Sequence, residues 1–129
     1  MLDLARRKHR LYIVSAIEEA RKSSMRCQHG CVIICNGIIV ARGHNYRIKN
    51  SVYYSVHAEE AAINELLSRR PRNNNIAPRK RKSIESRMTL YVVRIRQNGD
   101  LTNSKPCSNC TSKINAQVHI SKIFYSSDQ

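Results

Sequence analysis

The pair Asn36-Gly37, set between two short apolar runs, constrains this chain more than any other feature. Cys31-Val-Ile-Ile-Cys35 and Ile38-Ile-Val-Ala41 are β-rich. Asn-Gly is the favoured dipeptide for a two-residue hairpin turn. An antiparallel hairpin needs covering on any face that carries apolar residues, and the flanking sequence supplies the covers. Upstream, Leu2 to Arg21 reads as a helix whose apolar stripe is Leu11, Val14 and Ile17 with Ala16 and Ala20. Ser23-Ser24 ends that pattern, and Gly43-His44-Asn45 ends the second strand.

Downstream, His57 to about Arg69 reads as a second helix, with Ala58, Ala61, Ala62 and Leu66 at helical spacing. Ser55 is the expected N-cap and Pro71 the stop. Met88 to Ile95 is a strand whose centre, Leu90-Tyr-Val-Val93, is continuously apolar, as for a strand covered on both faces. Asn98-Gly99-Asp100 is a turn, Pro106 opens a helix to about Ala116, and Ile120 to Tyr125 is a last strand. The order α-β-β-α-β-α-β predicts an α/β fold, with parallel pairing in its second half and helices packed on the sheet. A chain of 129 residues with 41% apolar content fits one packed domain, residues 1–129. Its apolar runs are too short to cross a bilayer, and the basic N-terminus lacks the apolar core of a secretory signal.

Two segments carry the chemistry. The first is His57-Ala58-Glu59, and the second is Pro106-Cys107-Ser108-Asn109-Cys110. One imidazole and two thiolates make a three-ligand zinc site with an open position for water, whereas a purely structural site would be closed by a fourth ligand. Cys107 and Cys110 are three residues apart, so a helix sets them one turn apart on one face. In its first turn the helix dipole favours thiolate. Glu59, two residues from His57, can reach the water without ligating the metal and serve as the proton shuttle. The competing reading makes His57 a helix cap, Glu59 an exposed charge and the cysteines core or redox residues. Finding both segments in this order, each at a helix start, argues against it: H-x-E followed by P-C-x-x-C is the zinc nucleobase deaminase signature.

On these residues the sequence resembles the cytidine and deoxycytidylate deaminase superfamily. The resemblance takes in the N-terminal helix, the Asn36-Gly37 hairpin, Gly43-His44-Asn45, His57 to Ala62, Leu90 to Val93, the Pro106–Cys110 box and Lys122 to Ser126. It implies a three-layer sandwich with a mixed central sheet between helices, a catalytic Zn²⁺, conversion of an amino group to a carbonyl, and assembly as a homo-oligomer. It also implies substrate contacts at Asn45, which matches an asparagine that often touches the substrate sugar, and at Ala58. Asn45 could equally be a strand-end turn residue. The histidine ligand resembles deoxycytidylate, guanine, tRNA-adenosine and polynucleotide cytosine deaminases rather than classical cytidine deaminases. Many relatives continue past the position of Tyr125 with another strand and helix, so oligomerisation is expected to cover the sheet edge or close the pocket.

The formal charge of +14 and a pI near 10.1 predict attraction to polyanions. Much of the charge falls in an exposed loop over residues 70–87, where Arg79, Lys80, Arg81 and Lys82 are candidate phosphate or nucleic-acid contacts. Pro78 to Lys82 also matches a nuclear-localisation patch. Tyr53 and Tyr54 either line the pocket or simply pack. The odd count of five cysteines, with Cys107 and Cys110 in a CxxC, favours a reducing, cytoplasmic compartment over a disulfide framework. Cys31 and Cys35 share strand parity, so burial explains them more simply than a second metal site with Cys27 and His29. Three functions compete at this stage: deamination of a free cytosine nucleoside or nucleotide, deamination of a base within RNA or DNA, and non-catalytic nucleic-acid binding on a zinc fold. An intact Glu59 argues against the last.

Overall fold

The computed structural model describes residues 2–49, 55–69, 88–105 and 120–126. The elements are α1 (Leu2–Ala20), β1 (Gln28–Cys35), β2 (Ile38–His44), β3 (Tyr46–Arg47), β4 (Ser55–Val56), α2 (Ala58–Arg69), β5 (Met88–Ile95), β6 (Leu101–Thr102) and β7 (Ile120–Tyr125). β1 and β2 form the expected hairpin. Its two turn residues both have positive φ, 52° at Asn36 and 79° at Gly37, which matches the turn to the twist of the strands.

β5 lies antiparallel along the other side of β1, pairing Gln28 with Ile95 through Cys35 with Met88. The outer edge of β5 is shared. β7 pairs with it in parallel over Met88–Val92, and β6 pairs antiparallel at Arg94 and Ile95. The sheet is therefore mixed, as expected. The β6 and β3–β4 pairings are two-residue elements, too short for any periodicity to announce.

The strands have two cores because their residues alternate between two helices. On one face Ala16 and Ala20 of α1 pack with Val32, Ile34, Tyr91, Val93 and Ile95. On the other, Ala62, Ile63 and Leu66 of α2 pack with Cys31, Ile33, Cys35, Leu90 and Val92. This two-sided burial is why the centres of β1 and β5 are apolar without alternation. Cys31 and Cys35 face the same side, as their spacing predicts. The helix expected from Pro106 to Ala116 lies outside the described residues.

Two glycines set how closely the helices approach. A Cβ at Gly30 would lie 2.0 Å from the carbonyl oxygen of Ala16 in α1. A Cβ at Gly43 would lie 2.3 Å from the backbone nitrogen of Ala62 in α2. The first contact also corrects the expected stripe of α1. Ala16 and Ala20 sit over Gly30, where the helix comes closest, and that fixes its rotation. Tyr12, Ile13 and Ile17 then flank the buried line, while Leu11 and Val14 turn outward at 63% and 49% exposure. Among the described residues no helix is long and apolar enough to cross a membrane.

Candidate functional site

The site gathers at the N-terminus of α2. His57 follows β4, and its carbonyl accepts the first helical hydrogen bond, from the Ala61 N–H at 2.9 Å. His57 is thus the N-cap, and the expectation that Ser55 would fill that position is corrected. Ser55 belongs to β4, where its pairing with Arg47 keeps it in extended backbone two residues ahead of the cap. Glu59 and Glu60 lie in the first turn, where the helix dipole stabilises negative charge.

His57 and Glu59 line one cleft of about 290 Å³. That is near the lower end of the ~300–1,000 Å³ usual for small-molecule sites. Cys27 just before β1 and His29 within it line the cleft, as do Asn45, which follows β2, and Ser104 and Lys105 after β6. Glu59 is only 4% exposed although it lines this cleft, so it is not the solvated surface charge of the competing reading. The packing of α2 on Gly43 holds the helix end, and with it both side chains, against the sheet.

Asn45 is buried in the cleft wall, and its side chain is a backbone clamp. Its Oδ1 accepts the His29 N–H at 2.9 Å, and its Nδ2 donates to the Cys27 carbonyl at 2.7 Å. The Ser23 hydroxyl donates to the Asn45 carbonyl at 2.8 Å, tying the end of α1 to the same corner. Next to it, Glu19 is held by His44 at 2.9 Å and Lys22 at 3.0 Å. Burial alone would raise the Glu19 carboxyl, but the hydrogen bonds and charges of His44 and Lys22 outweigh it and hold it below the usual range. Ala58 is fully buried, its methyl group in the α2-face core. Any contact it makes with substrate would have to come through its backbone.

Sequence reasoning weighed His29 only for a second metal and missed its place on the cleft of His57 and Glu59. Burial first, then the charges of Arg94 and His57, push its imidazole down to about 4, so it is neutral at neutral pH. The signal was available: His29 shares strand parity with Cys31, and that parity faces α2, the helix that carries His57. Cys27 is exposed at the rim, its sulfur 3.2 Å from the Arg94 guanidinium. The four residues weighed for a second metal are thus divided, Cys27 and His29 at the cleft and Cys31 and Cys35 in the core.

The donor chemistry at the cleft suits zinc. An imidazole stands beside a buried carboxylate, and the chain enters the cleft wall at Lys105, two residues before Cys107 in sequence. Cys107, Cys110, Arg79, Lys80, Arg81, Lys82, Tyr53 and Tyr54 lie outside the described residues. Among the described residues no three His, Cys, Asp or Glu side chains are placed to hold a metal ion together.

Residues 6–127 match the family model described as the cytidine and deoxycytidylate deaminase zinc-binding region. The chain belongs to this family. Its cofactor is accordingly Zn²⁺. Among solved structures, the fold is similar to the dCMP deaminase of the cyanophage S-TIM5, with a TM-score of 0.64, 20% identity and coverage of 90% of this chain and 79% of that one. It is also similar to the cytidine deaminase of Burkholderia pseudomallei, with a TM-score of 0.56, 17% identity and coverage of 82% and 73%. Over 56 residues the sequence is 43% identical to a Streptococcus pyogenes protein named tRNA-specific adenosine deaminase. That stretch is 42% of this chain and 35% of the relative, so the match spans about a third of the relative's length.

Proposed function

We propose that this protein is a zinc-dependent hydrolytic deaminase of a cytosine nucleoside or nucleotide, with His57, Cys107 and Cys110 as metal ligands and Glu59 as the proton carrier. The observation that carries the reading is Glu59, a buried carboxylate on the same cleft as His57, at the start of the same helix. When bound, zinc would make the attacking water more acidic. Glu59 takes a proton from that water and delivers it to the ring nitrogen of the base. A C–O bond forms at the carbon bearing the amine; Glu59 then takes the second proton from that new hydroxyl and passes it to the amine, so the carbonyl forms as the C–N bond breaks and ammonia leaves. Asn45 holds the backbone wall against which the base lies, and neutral His29 offers that wall a hydrogen-bonding side chain.

A second reading is deamination of a base within RNA or DNA. It is favoured by the +14 charge and by the local identity to the Streptococcus pyogenes protein. Ammonia release separates the two when measured on cytosine, cytidine, dCMP, guanine and single-stranded oligonucleotides. Activity on cytidine or dCMP supports the first reading. Activity confined to oligonucleotides, falling steeply with salt, overturns it in favour of the second.

A further inference from the structure

A second cleft, of about 130 Å³, lies on the α1 face of the sheet, away from the α2 face that carries Glu59. Its floor is aromatic. Tyr91 of β5 and Phe124 of β7 are register partners, and their rings stack at 4.9 Å and 19°. His9 of α1 closes the inner side, its Nδ1 2.7 Å from the Tyr91 hydroxyl and its ring 5.1 Å from that of Phe124. Phe124 nevertheless remains 39% exposed, an aromatic fixed in place with surface left uncovered.

The rim is basic. Ile13 lines this cleft, and Arg10 and Arg6 lie three and seven residues before it, one and two turns away on the same helix flank. The opposite flank faces the hairpin, where Tyr12 donates to the Gly37 carbonyl. On β7, Lys122 has the same facing parity as Phe124. Arg6, Arg10 and Lys122 are all exposed.

We infer that this cleft binds single-stranded nucleic acid, with a base stacked on Phe124 and adjacent phosphates on Arg6, Arg10 and Lys122. A fixed aromatic platform beside basic side chains is what sequence-tolerant single-strand binding uses. Charge decides against a second copy of this chain as the occupant, since each copy carries +14 and would bring the same basic rim to the contact. A duplex does not fit either, because its internal bases offer no free π-face. The inference does not depend on the reaction proposed above, because Phe124, Arg6, Arg10 and Lys122 do not line the cleft of Glu59. The two clefts do adjoin: Ser126 lines this one and Ser104 the other, with their Oγ atoms 2.8 Å apart.

The test is fluorescence anisotropy of labelled U12 and dT12 oligonucleotides with the 129-residue chain over a range of salt concentrations, with no turnover required. Binding of either oligomer supports the inference, and their ratio shows whether the sugar is read. Phe124→Ala should weaken binding about 5- to 150-fold, the usual loss for one stacked base. Arg6→Ala/Arg10→Ala should lower the slope of log affinity against log salt by about 1.4, two phosphate contacts on a single strand. Because Phe124→Ala also removes the ring stacked on Tyr91 across the β5–β7 pairing, Phe124→Trp gives a positive signal in a chain without tryptophan. It should bind as tightly as the parent, and its emission should be quenched by the oligomer. Unquenched emission at saturation, or a salt slope unchanged in the arginine variant, would overturn the inference. So would a dimer that Phe124→Ala dissolves while oligonucleotide binding persists unchanged.

Discussion

Asn45 fixes the position of His29 rather than merely neighbouring it, since its Oδ1 accepts the His29 N–H while its Nδ2 holds the Cys27 carbonyl. Asn45→Ala should therefore cost stability as well as activity. It removes the partner of the partly buried His29 N–H and of the Cys27 carbonyl at the rim, so the loss should fall at or below the ~1–3 kcal/mol of a buried unsatisfied group. Thermal unfolding followed by circular dichroism measures it. A side chain that served only as a substrate contact would leave the unfolding temperature unchanged and raise KM alone.

Gly43 and Gly30 give a paired prediction, because each meets the backbone of a different helix. Alanine at either position should destabilise by at least about 1–3 kcal/mol, the range for overpacking. Their effects on activity should differ. Gly43→Ala pushes α2 off the sheet and moves Glu59 with it, and a displacement of ~1 Å in a catalytic group can cost ~10²-fold. Gly30→Ala pushes α1, which carries neither His57 nor Glu59, so its loss of ammonia release per folded molecule should be the smaller of the two. Equal losses in both variants would show that α2 does not set the geometry of the site.

The elements were legible where a turn or an unbroken run announced them. Asn36-Gly37 gave the hairpin, and Met88–Ile95 and Ile120–Tyr125 have the bounds read from their apolar residues. The orientation of α1 was not legible. Leu11 and Val14 outweigh Ala16 and Ala20 in hydrophobicity, but close approach over Gly30 favours the smallest residues. Ser55 misled for a related reason: capping preference is local, whereas its pairing with Arg47 is a tertiary choice. Within the site, His57 and Glu59 were singled out because H-x-E is followed by P-C-x-x-C, and the structure puts both on one cleft. His29 was passed over because the expected strand began at Cys31, whereas β1 begins at Gln28 and carries His29 into the sheet on the α2 side.

Acid should act on the fold through His29. Folded His29 titrates near 4 against an ordinary value of 6.5, so between those values the unfolded chain binds more protons. Stability from this group is complete above about pH 6.5, falls as pH drops toward 4, and levels off below. Urea midpoints of wild type and His29→Gln, compared between pH 7 and pH 4, isolate the contribution, since other titrating groups are common to both. The variant should show the shallower decline. Parallel profiles would mean that His29 is not held neutral by its surroundings.

Metal and proton carrier should separate cleanly by mutation. Wild type should carry about one zinc per chain, as a single three-ligand site requires. His57→Ala should lose it, and treatment with a chelator should abolish ammonia release until zinc is restored. Glu59→Gln removes the proton carrier without removing a ligand and keeps a side chain of the same shape at a buried position. It should retain zinc by elemental analysis, unfold near the wild-type temperature, and release ammonia ~10²–10⁴-fold more slowly, the range for loss of a general acid–base group. Zinc lost together with activity in Glu59→Gln would make the carboxylate a ligand instead, and full turnover in that variant would move the proton transfer to another residue.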